Sequence, residues 1–334
     1  MPDPVIERLP FLDAEPWRVA VVNPTGRYAR NQVAGLIAAG TNIVGGVALG
    51  RGGQSMDGLP LVDRIAELPA ANVALVYTPP EGFRDAVADC IAARVRTIVA
   101  VAEYVPVHDA LEVTTLARAA GCWLMGPNTL GMYVPGRGLL GSIAPSFCKG
   151  GRLALISRSG TLALAMARQL TMAGIGQSLV AHIGSDAVIG RNPHEYLRAL
   201  AHHARTSAVL YCGEIGGDKE YAFADAVRGF PKPVVAMVVG RFAPAEKRMG
   251  HAGALVGSAR EGASAKLAAL AAAGCRVAAG PEQAVAILTE LGFAGRYRPM
   301  PGVAYNDRRD ATCSRSRLRL ESRSWRRDWP GRRW

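Results

Sequence analysis

The residues best suited to chemistry fall in four short stretches of small and polar side chains. In EKRMGHAGAL, residues 246–255, His251 follows Gly250 and precedes Ala252-Gly253. Imidazole is a nucleophile at neutral pH, and small flanking residues would let a phosphoryl group reach it. On this stretch alone a loop or structural histidine is the favoured reading. In GEIGG, residues 213–217, Glu214 lies between glycines at the end of a β-rich run. A carboxylate there is poorly explained by surface solvation and could hold an imidazole ring by hydrogen bonding. In ISRSGTL, residues 156–162, Ser159, Gly160 and Thr161 open a long apolar helical pattern. Serines in a cap satisfy free helix N–H groups, and with glycine giving close access the same amides could face a phosphate. A hydrolase nucleophile elbow at Ser159 needs glycine two positions earlier, where Ser157 stands. The fourth stretch is VVNPTGRYARNQ, residues 21–32. It places Asn23, Gly26 and Ala29 where a phosphate-binding turn has three glycines, so an ordinary βα turn remains open there. Arg27, Arg30 and Arg51 add positive charge nearby.

These stretches are spaced by alternating β-rich and amphipathic runs. Strands are expected at RVAVVN from Arg18, NIVGGVAL from Asn42, NVALVYT from Asn72, TIVAVA from Thr97 and CWLMG from Cys122. Helical patterns lie between them, among them GFRDAVADCIAARV and DALEVTTLARAAG. Short buried strands alternating with helices predict βαβ units on a parallel sheet. The Gly/Pro-rich stretch from Tyr133 to Gly151 reads as a connection. Alternation then resumes with RLALIS, SLVAHIG, SAVLYCGE, PVVAMVVG and CRVA, and with five further helical patterns. The expected organisation is α/β throughout: a Rossmann-like domain over 1–145, a flavodoxin-like, doubly wound parallel-sheet domain over 146–295, and a basic disordered tail over 296–334.

The 334 residues suffice for two ordinary domains, and 49% hydrophobic with 20% charged residues are globular values. Six cysteines without CxxC spacing favour buried, reduced thiols in a cytoplasmic setting over disulfides or a zinc site, and no metal site is expected. The N-terminus lacks the apolar core of a signal peptide, and no apolar run reaches membrane-spanning length. Net charge is +12, but residues 307–334 hold ten Arg against four acids and so supply half of it. Nucleic-acid binding would rest on that Arg/Trp-rich tail alone and is not expected.

Taken together and in order, GGVALGRGG, GLPL, GPNTLG, ISRSGTL, GEIGG and KRMGHAGA resemble the α subunit of succinyl-CoA synthetase (succinate–CoA ligase, ADP- or GDP-forming) over residues 17–293. The resemblance implies a CoA-binding first domain with contacts from Thr25, Gly26, Arg27, Tyr28, Arg51, Val101, Ala102 and Glu103. It implies that His251 becomes phosphorylated, that Glu214 orients its ring, and that amides at Ser159, Gly160 and Thr161 receive the phosphate. It further implies an ATP-grasp β subunit, in a heterodimer or heterotetramer, that binds ATP or GTP with Mg2+. The product would be an acyl phosphate of a small carboxylic acid, which the CoA thiol attacks.

Several positions depart from that family's pattern. The CoA turn reads Asn-Pro-Thr-Gly-Arg-Tyr-Ala rather than glycine-rich, and Arg51 replaces the usual lysine. Leu164 stands at a substrate-contacting position commonly held by tyrosine, and Gly184-Ser185-Asp186-Ala187 replaces Gly-Gly-Asp-Pro. The acid is therefore open, with malate or citrate as alternatives to succinate. A CoA-binding regulatory protein without turnover would have no need for both His251 and Glu214. An NAD(P) dehydrogenase is disfavoured, because no acid ends the second strand to hold a ribose.

Overall fold

A computed structural model describes residues 9–12, 15–68, 70–242 and 256–293. His251 and the tail over 296–334 lie outside these described residues.

Two seven-stranded sheets, each flanked by helices, carry the chain. The first comprises β1 (Val19–Val22), β2 (Ile43–Val47), β3 (Ser55–Met56), β4 (Leu59–Val62), β5 (Val73–Val76), β6 (Thr97–Ala100) and β7 (Trp123–Met125). Helices α1 (Arg27–Ala38), α2 (Phe83–Ala92) and α3 (Val107–Ala119) connect its strands. The order is β3-β4-β2-β1-β5-β6-β7, parallel except for the β3–β4 pair. Its inner strands are buried at every position, which is why VAVV, VALV and TIVA read as unbroken apolar runs rather than alternating ones.

The second sheet comprises β8 (Gly131–Val134), β9 (Gly138–Gly141), β10 (Gly150–Ser157), β11 (Gln177–His182), β12 (Ala208–Glu214), β13 (Val234–Val239) and β14 (Arg276–Val277). Helices α4 (Gly160–Met172), α5 (Pro193–Leu200), α6 (Lys219–Val227), α7 (Ala263–Ala272) and α8 (Pro281–Glu290) accompany it. The order is β14-β13-β12-β10-β11-β8-β9, with a parallel core and an antiparallel hairpin at one edge.

That hairpin corrects part of the sequence reading. Residues 133–151 are not merely a connection, because β8 and β9 pair with each other and β8 pairs with β11, so the passage between sheets falls between Met125 and Gly131. Glycines hide the strand character. A Cβ on Gly131 would lie 1.8 Å from the Leu140 carbonyl oxygen, and Gly131 itself sits at φ +77°. Backbones this close admit no side chain at that position, so a glycine opens the strand ahead of Met132, Tyr133 and Val134.

The two sheets are tied by side chains at their border. Thr41 Oγ1 donates to the Leu139 carbonyl at 2.7 Å and accepts the Leu139 N–H at 3.0 Å. Trp123, fully buried, meets Phe11 and Tyr196 edge-on from opposite parts of the chain. Glu195 in the first turn of α5 accepts from Asn192 N–H (2.7 Å), from Arg191 (2.9 Å) and from Arg118 of α3 (2.8 Å). Five cysteines are buried free thiols, Cys90, Cys122, Cys148, Cys212 and Cys275, and burial pushes the last of these up to about 12. No helix among the described residues is long and apolar enough to cross a membrane.

Candidate functional site

Strand order locates the place where a ligand fits. In the second sheet the chain moves from β10 to β11 on one side and then to β12 on the other, which opens a crevice at the carboxyl ends of β10 and β12. Ser157, Arg158 and Ser159 leave β10 at that point, and Glu214 ends β12 beside them.

The turn into α4 is held by its own serines. Ser159 N–H donates to Ser157 Oγ at 3.1 Å, and the Ser157 hydroxyl donates to the Ser159 carbonyl at 2.7 Å. Ser159 is the N-cap, extended at φ −116° and ψ 126°, and its hydroxyl accepts the Leu162 N–H at 3.4 Å. Gly160 is buried, and a Cβ there would lie 2.8 Å from Leu130 Cδ1 and 3.1 Å from His182 Nδ1. Thr161 is exposed, and Leu164, one turn on, is half-buried against the core. The start of α4 thus presents first-turn amides and the positive end of its dipole to the crevice.

His182 braces this helix start from below. It is buried, its Nδ1 accepts the Leu130 N–H at 2.8 Å, and its Nε2 stands 3.0 Å from Ser185 Oγ and 3.2 Å from the Arg158 carbonyl. With Nδ1 accepting, the ring proton resides on Nε2, so the neutral tautomer joins three loops.

Beside it lies a fully buried charge cluster. Arg158 is 1% exposed, Glu214 3%, and Glu220 and Lys266 0%. Arg158 Nη2 meets Glu214 Oε1 at 3.0 Å and its Nη1 meets Glu220 Oε1 at 3.0 Å. Lys266 Nζ meets Glu220 Oε2 at 2.5 Å. Burial alone would raise the Glu220 carboxyl, but Arg158 and Lys266 outweigh it and hold the group below the usual carboxylate range. Burial opposes the Arg158 charge, and Glu220 with Glu214 reverses that and raises its pKa. Sequence reading found Glu214 and the serine turn but missed Arg158, Glu220, Lys266 and His182 as partners. The available signal was a charge on an apolar stripe: Glu220 shares a buried face with Phe223, Ala224 and Val227, and Lys266 shares one with Ala263 and Leu270.

The first sheet has its own switch point between β1 and β5. A cavity of about 330 Å³ there is lined by Tyr28, Tyr77, Thr78, Val101, Ala102, Glu103 and Asn128 to Leu130, among others. The structure thus brings Tyr28, Val101, Ala102 and Glu103 together, with Tyr28 edge-on to Tyr77 at 5.8 Å. Thr25, Gly26 and Arg27 do not line it; they form the approach to α1, whose N-cap Gly26 makes no side-chain cap bond and has open space around it. Arg51 lies in a second loop, where its N–H and that of Gly52 both donate to Asp63 Oδ1 at 3.0 Å. Among the described residues neither Arg27 nor Arg51 forms an ion pair. Arg30 differs from the expectation that it adds free positive charge, because Asp57 binds it bidentately at 2.7 and 2.8 Å. An uncapped helix start with the unpaired Arg27 in its first turn fits a phosphate, and the cavity lined by Tyr28 beside it fits an extended chain. A third cleft of about 750 Å³ among α3, α5 and α6 contains none of the anticipated residues.

The fold and its crevices define a class: a two-domain α/β protein with a ligand site at the switch point of each sheet. Residues 14–104 match the model of the CoA binding domain, and residues 150–291 match that of the succinyl-CoA ligase like flavodoxin domain. The chain is 38% identical over 280 residues to an ADP-forming succinate–CoA ligase subunit alpha from Archaeoglobus fulgidus, covering 83% of this chain and 98% of that one. It is 34% identical to an ADP-forming sulfoacetate-CoA ligase subunit from Bilophila wadsworthia, covering 82% of this chain and 96% of that one. In fold it resembles an ATP citrate lyase from Methanosaeta concilii with a TM-score of 0.75 at 21% identity, over 86% of this chain and 52% of that one. The chain therefore spans about half the length of the lyase. The chain belongs to the succinate–CoA ligase α-subunit family and is an acid–thiol ligase subunit with a CoA-binding domain.

Proposed function

We propose that the chain is the α subunit of a nucleoside-diphosphate-forming carboxylate–CoA ligase that works through a phosphohistidine at His251. The observation that carries this reading is the meeting of the Ser159-capped helix start and Glu214 at one switch point, with Glu214 held by Arg158 at 3.0 Å. A partner β subunit with an ATP-grasp fold, as a heterodimer or heterotetramer, binds ATP or GTP with Mg2+ and delivers the γ-phosphoryl group. His251 nitrogen forms a bond to that phosphorus as its bond to the β-phosphate oxygen breaks, releasing the nucleoside diphosphate. A substrate carboxylate oxygen then takes the phosphoryl from His251, giving an acyl phosphate. The CoA sulfur attacks the acyl carbon, and inorganic phosphate leaves.

This chain's residues serve those steps as follows. Glu214 accepts a hydrogen bond from the imidazole and holds it in the reactive orientation. Amides at Ser159, Gly160 and Thr161 stabilise the phosphoryl oxygens where charge is present throughout transfer. Thr25, Gly26, Arg27 and Tyr28, with Arg51, hold the CoA phosphates, and Val101, Ala102 and Glu103 line the path of its arm. Leu164 removes a polar contact from the acid subsite, so succinate is not the unique best acid; malate, citrate or a sulfonated acid such as the Bilophila relative's are the candidates. The two sheets divide the chain between Met125 and Gly131 rather than near residue 145, with the basic tail beyond 295. The buried free thiols suit a cytoplasmic setting.

The test is acid- and CoA-dependent release of ADP or GDP by the complex with its β partner across a panel of small carboxylic acids. Turnover with several acids supports the reading. Turnover with none, alongside tight CoA binding, replaces it with the regulatory alternative, and strict succinate preference removes the role assigned to Leu164.

A further inference from the structure

The charge cluster contains more than an orienting carboxylate needs. Glu220 has both carboxylate oxygens committed: Oε1 takes Arg158 Nη1 (3.0 Å), the Tyr211 hydroxyl (2.9 Å) and the Glu214 N–H (3.3 Å), and Oε2 takes Lys266 Nζ (2.5 Å). Such a saturated group has no capacity left for a ligand. Lys266 Nζ spends its other protons on backbone, donating to the Glu214 carbonyl at 3.0 Å and the Gly216 carbonyl at 2.6 Å. The two side chains therefore hold Glu214 through both of its backbone polar groups, Glu220 through the N–H and Lys266 through the C=O. They also fix the guanidinium that meets its carboxylate. Tyr211 is locked in turn by Phe223 stacked on it at 4.1 Å.

We infer that Glu220 and Lys266 are positioning residues for the reaction: a buried ion pair that sets the place and aim of the Glu214 carboxylate and its Arg158 partner. Two cations and two carboxylates make the cluster neutral, so removal of either outer member leaves a buried uncompensated charge that pulls on Arg158. An apolar replacement of the pair would meet the needs of packing alone. The surplus of bonds onto the Glu214 peptide is what directed positioning requires, since small displacements of an orienting group cost large factors in rate.

The inference rests on the reading above that Glu214 orients the phosphoryl-accepting ring. Its test is single-turnover labelling of the complex by γ-labelled ATP across the acid and neutral range, with CoA affinity measured separately. Lys266→Met is expected to slow labelling by at least about tenfold while CoA affinity holds, because the CoA residues lie on the other sheet. Lys266→Arg restores part of the rate. The acid limb supplies a readout that a structural role would not move. Glu220 faces Arg158 from the β10–α4 turn, Lys266 from α7, Tyr211 and Glu214 from β12, and Lys219 beside it on α6. Loss of Lys266 removes one of the charges that hold Glu220 ionised, so its carboxyl titrates higher and the limb moves to higher pH. Tyr211→Phe, a small change, gives the same shift to a lesser degree and serves if Lys266→Met does not fold. A wild-type rate and an unmoved acid limb in both variants, with Glu214→Gln inactive, overturns this inference and leaves the function intact. Wild-type labelling in Glu214→Gln as well overturns the reading beneath it.

Discussion

Glu214 and Glu220 sit six residues apart and are both buried, yet their partners differ. Glu220 is saturated by hydrogen bonds, whereas Glu214 directs its carboxylate to Arg158 at the crevice. Glu220→Ala is therefore expected to lower unfolding free energy by about 3–5 kcal/mol, since it leaves Lys266 buried without a carboxylate and Arg158 with Glu214 alone. Denaturant unfolding of the purified chain checks this. Gly160 gives a sharper test of the helix start. The Cβ of Gly160→Ala would press on Leu130 and on His182 Nδ1, which accepts the Leu130 N–H. Leu130 must shift, and phosphoryl transfer should fall by about tenfold or more with only a small change in stability. An unchanged single-turnover rate would show that the amides tolerate displacement and do not contact the phosphoryl group.

At the scale of elements, α1 begins without a side-chain cap, as the proposed CoA contact there requires. Gly26 occupies the N-cap in extended conformation with nothing near its absent side chain. Asp fits that conformation and would cap the helix, so Gly26→Asp should leave stability equal or higher by a few tenths of a kcal/mol, roughly the gap between these caps. The same carboxylate would repel a polyphosphate, and the Kd for CoA should rise by about tenfold, measured by calorimetry. Elements were also the level most legible in the sequence. Every strand and helix run named from apolar periodicity occurs, because inner parallel strands and one-sided helices leave unbroken or 3.6-periodic patterns. The misses have physical causes. Strands β8 and β9 are short and interrupted by glycines where backbones approach closely, and β3–β4 is a short, half-buried hairpin. Lys266 and Glu220 escaped notice because single charges on apolar stripes look like exceptions until a partner on another helix is visible. Arg158 lay inside a stretch read for its serines.

Across the whole molecule, ionisable groups join the two sheets and set a pH window for stability. Burial opposes ionisation of Glu195, but Arg118, the Asn192 N–H and Arg191 hold its carboxyl below the ordinary value of 4.5. Its contribution is complete above that value and is lost as pH falls through the folded pKa. His203 acts higher in the range. Burial, with Arg205 and Lys232 nearby, lowers it from 6.5 to about 4, so the unfolded chain takes up its proton first and stability declines as pH falls from 6.5 toward about 4. Thermal unfolding should show this as two successive losses, the upper one reduced in His203→Asn, where the half-buried His194 still contributes, and the lower one reduced in Glu195→Gln. A melting temperature flat down to the carboxylate range in the unaltered protein would contradict the His203 part. Glu195→Ala, which unties α3 from α5, should cost about 2 kcal/mol by loss of charged hydrogen bonds at a partly buried site.

The central claim is that the crevice between β10 and β12 serves a phosphoryl-carrying histidine. It is tested most directly by incubating the complex of this chain and its β partner with γ-labelled ATP and following label bound to this chain. The expected result is an acid-labile, base-stable adduct that is absent in His251→Asn and strongly reduced in Glu214→Gln. Equal labelling of His251→Asn would contradict it.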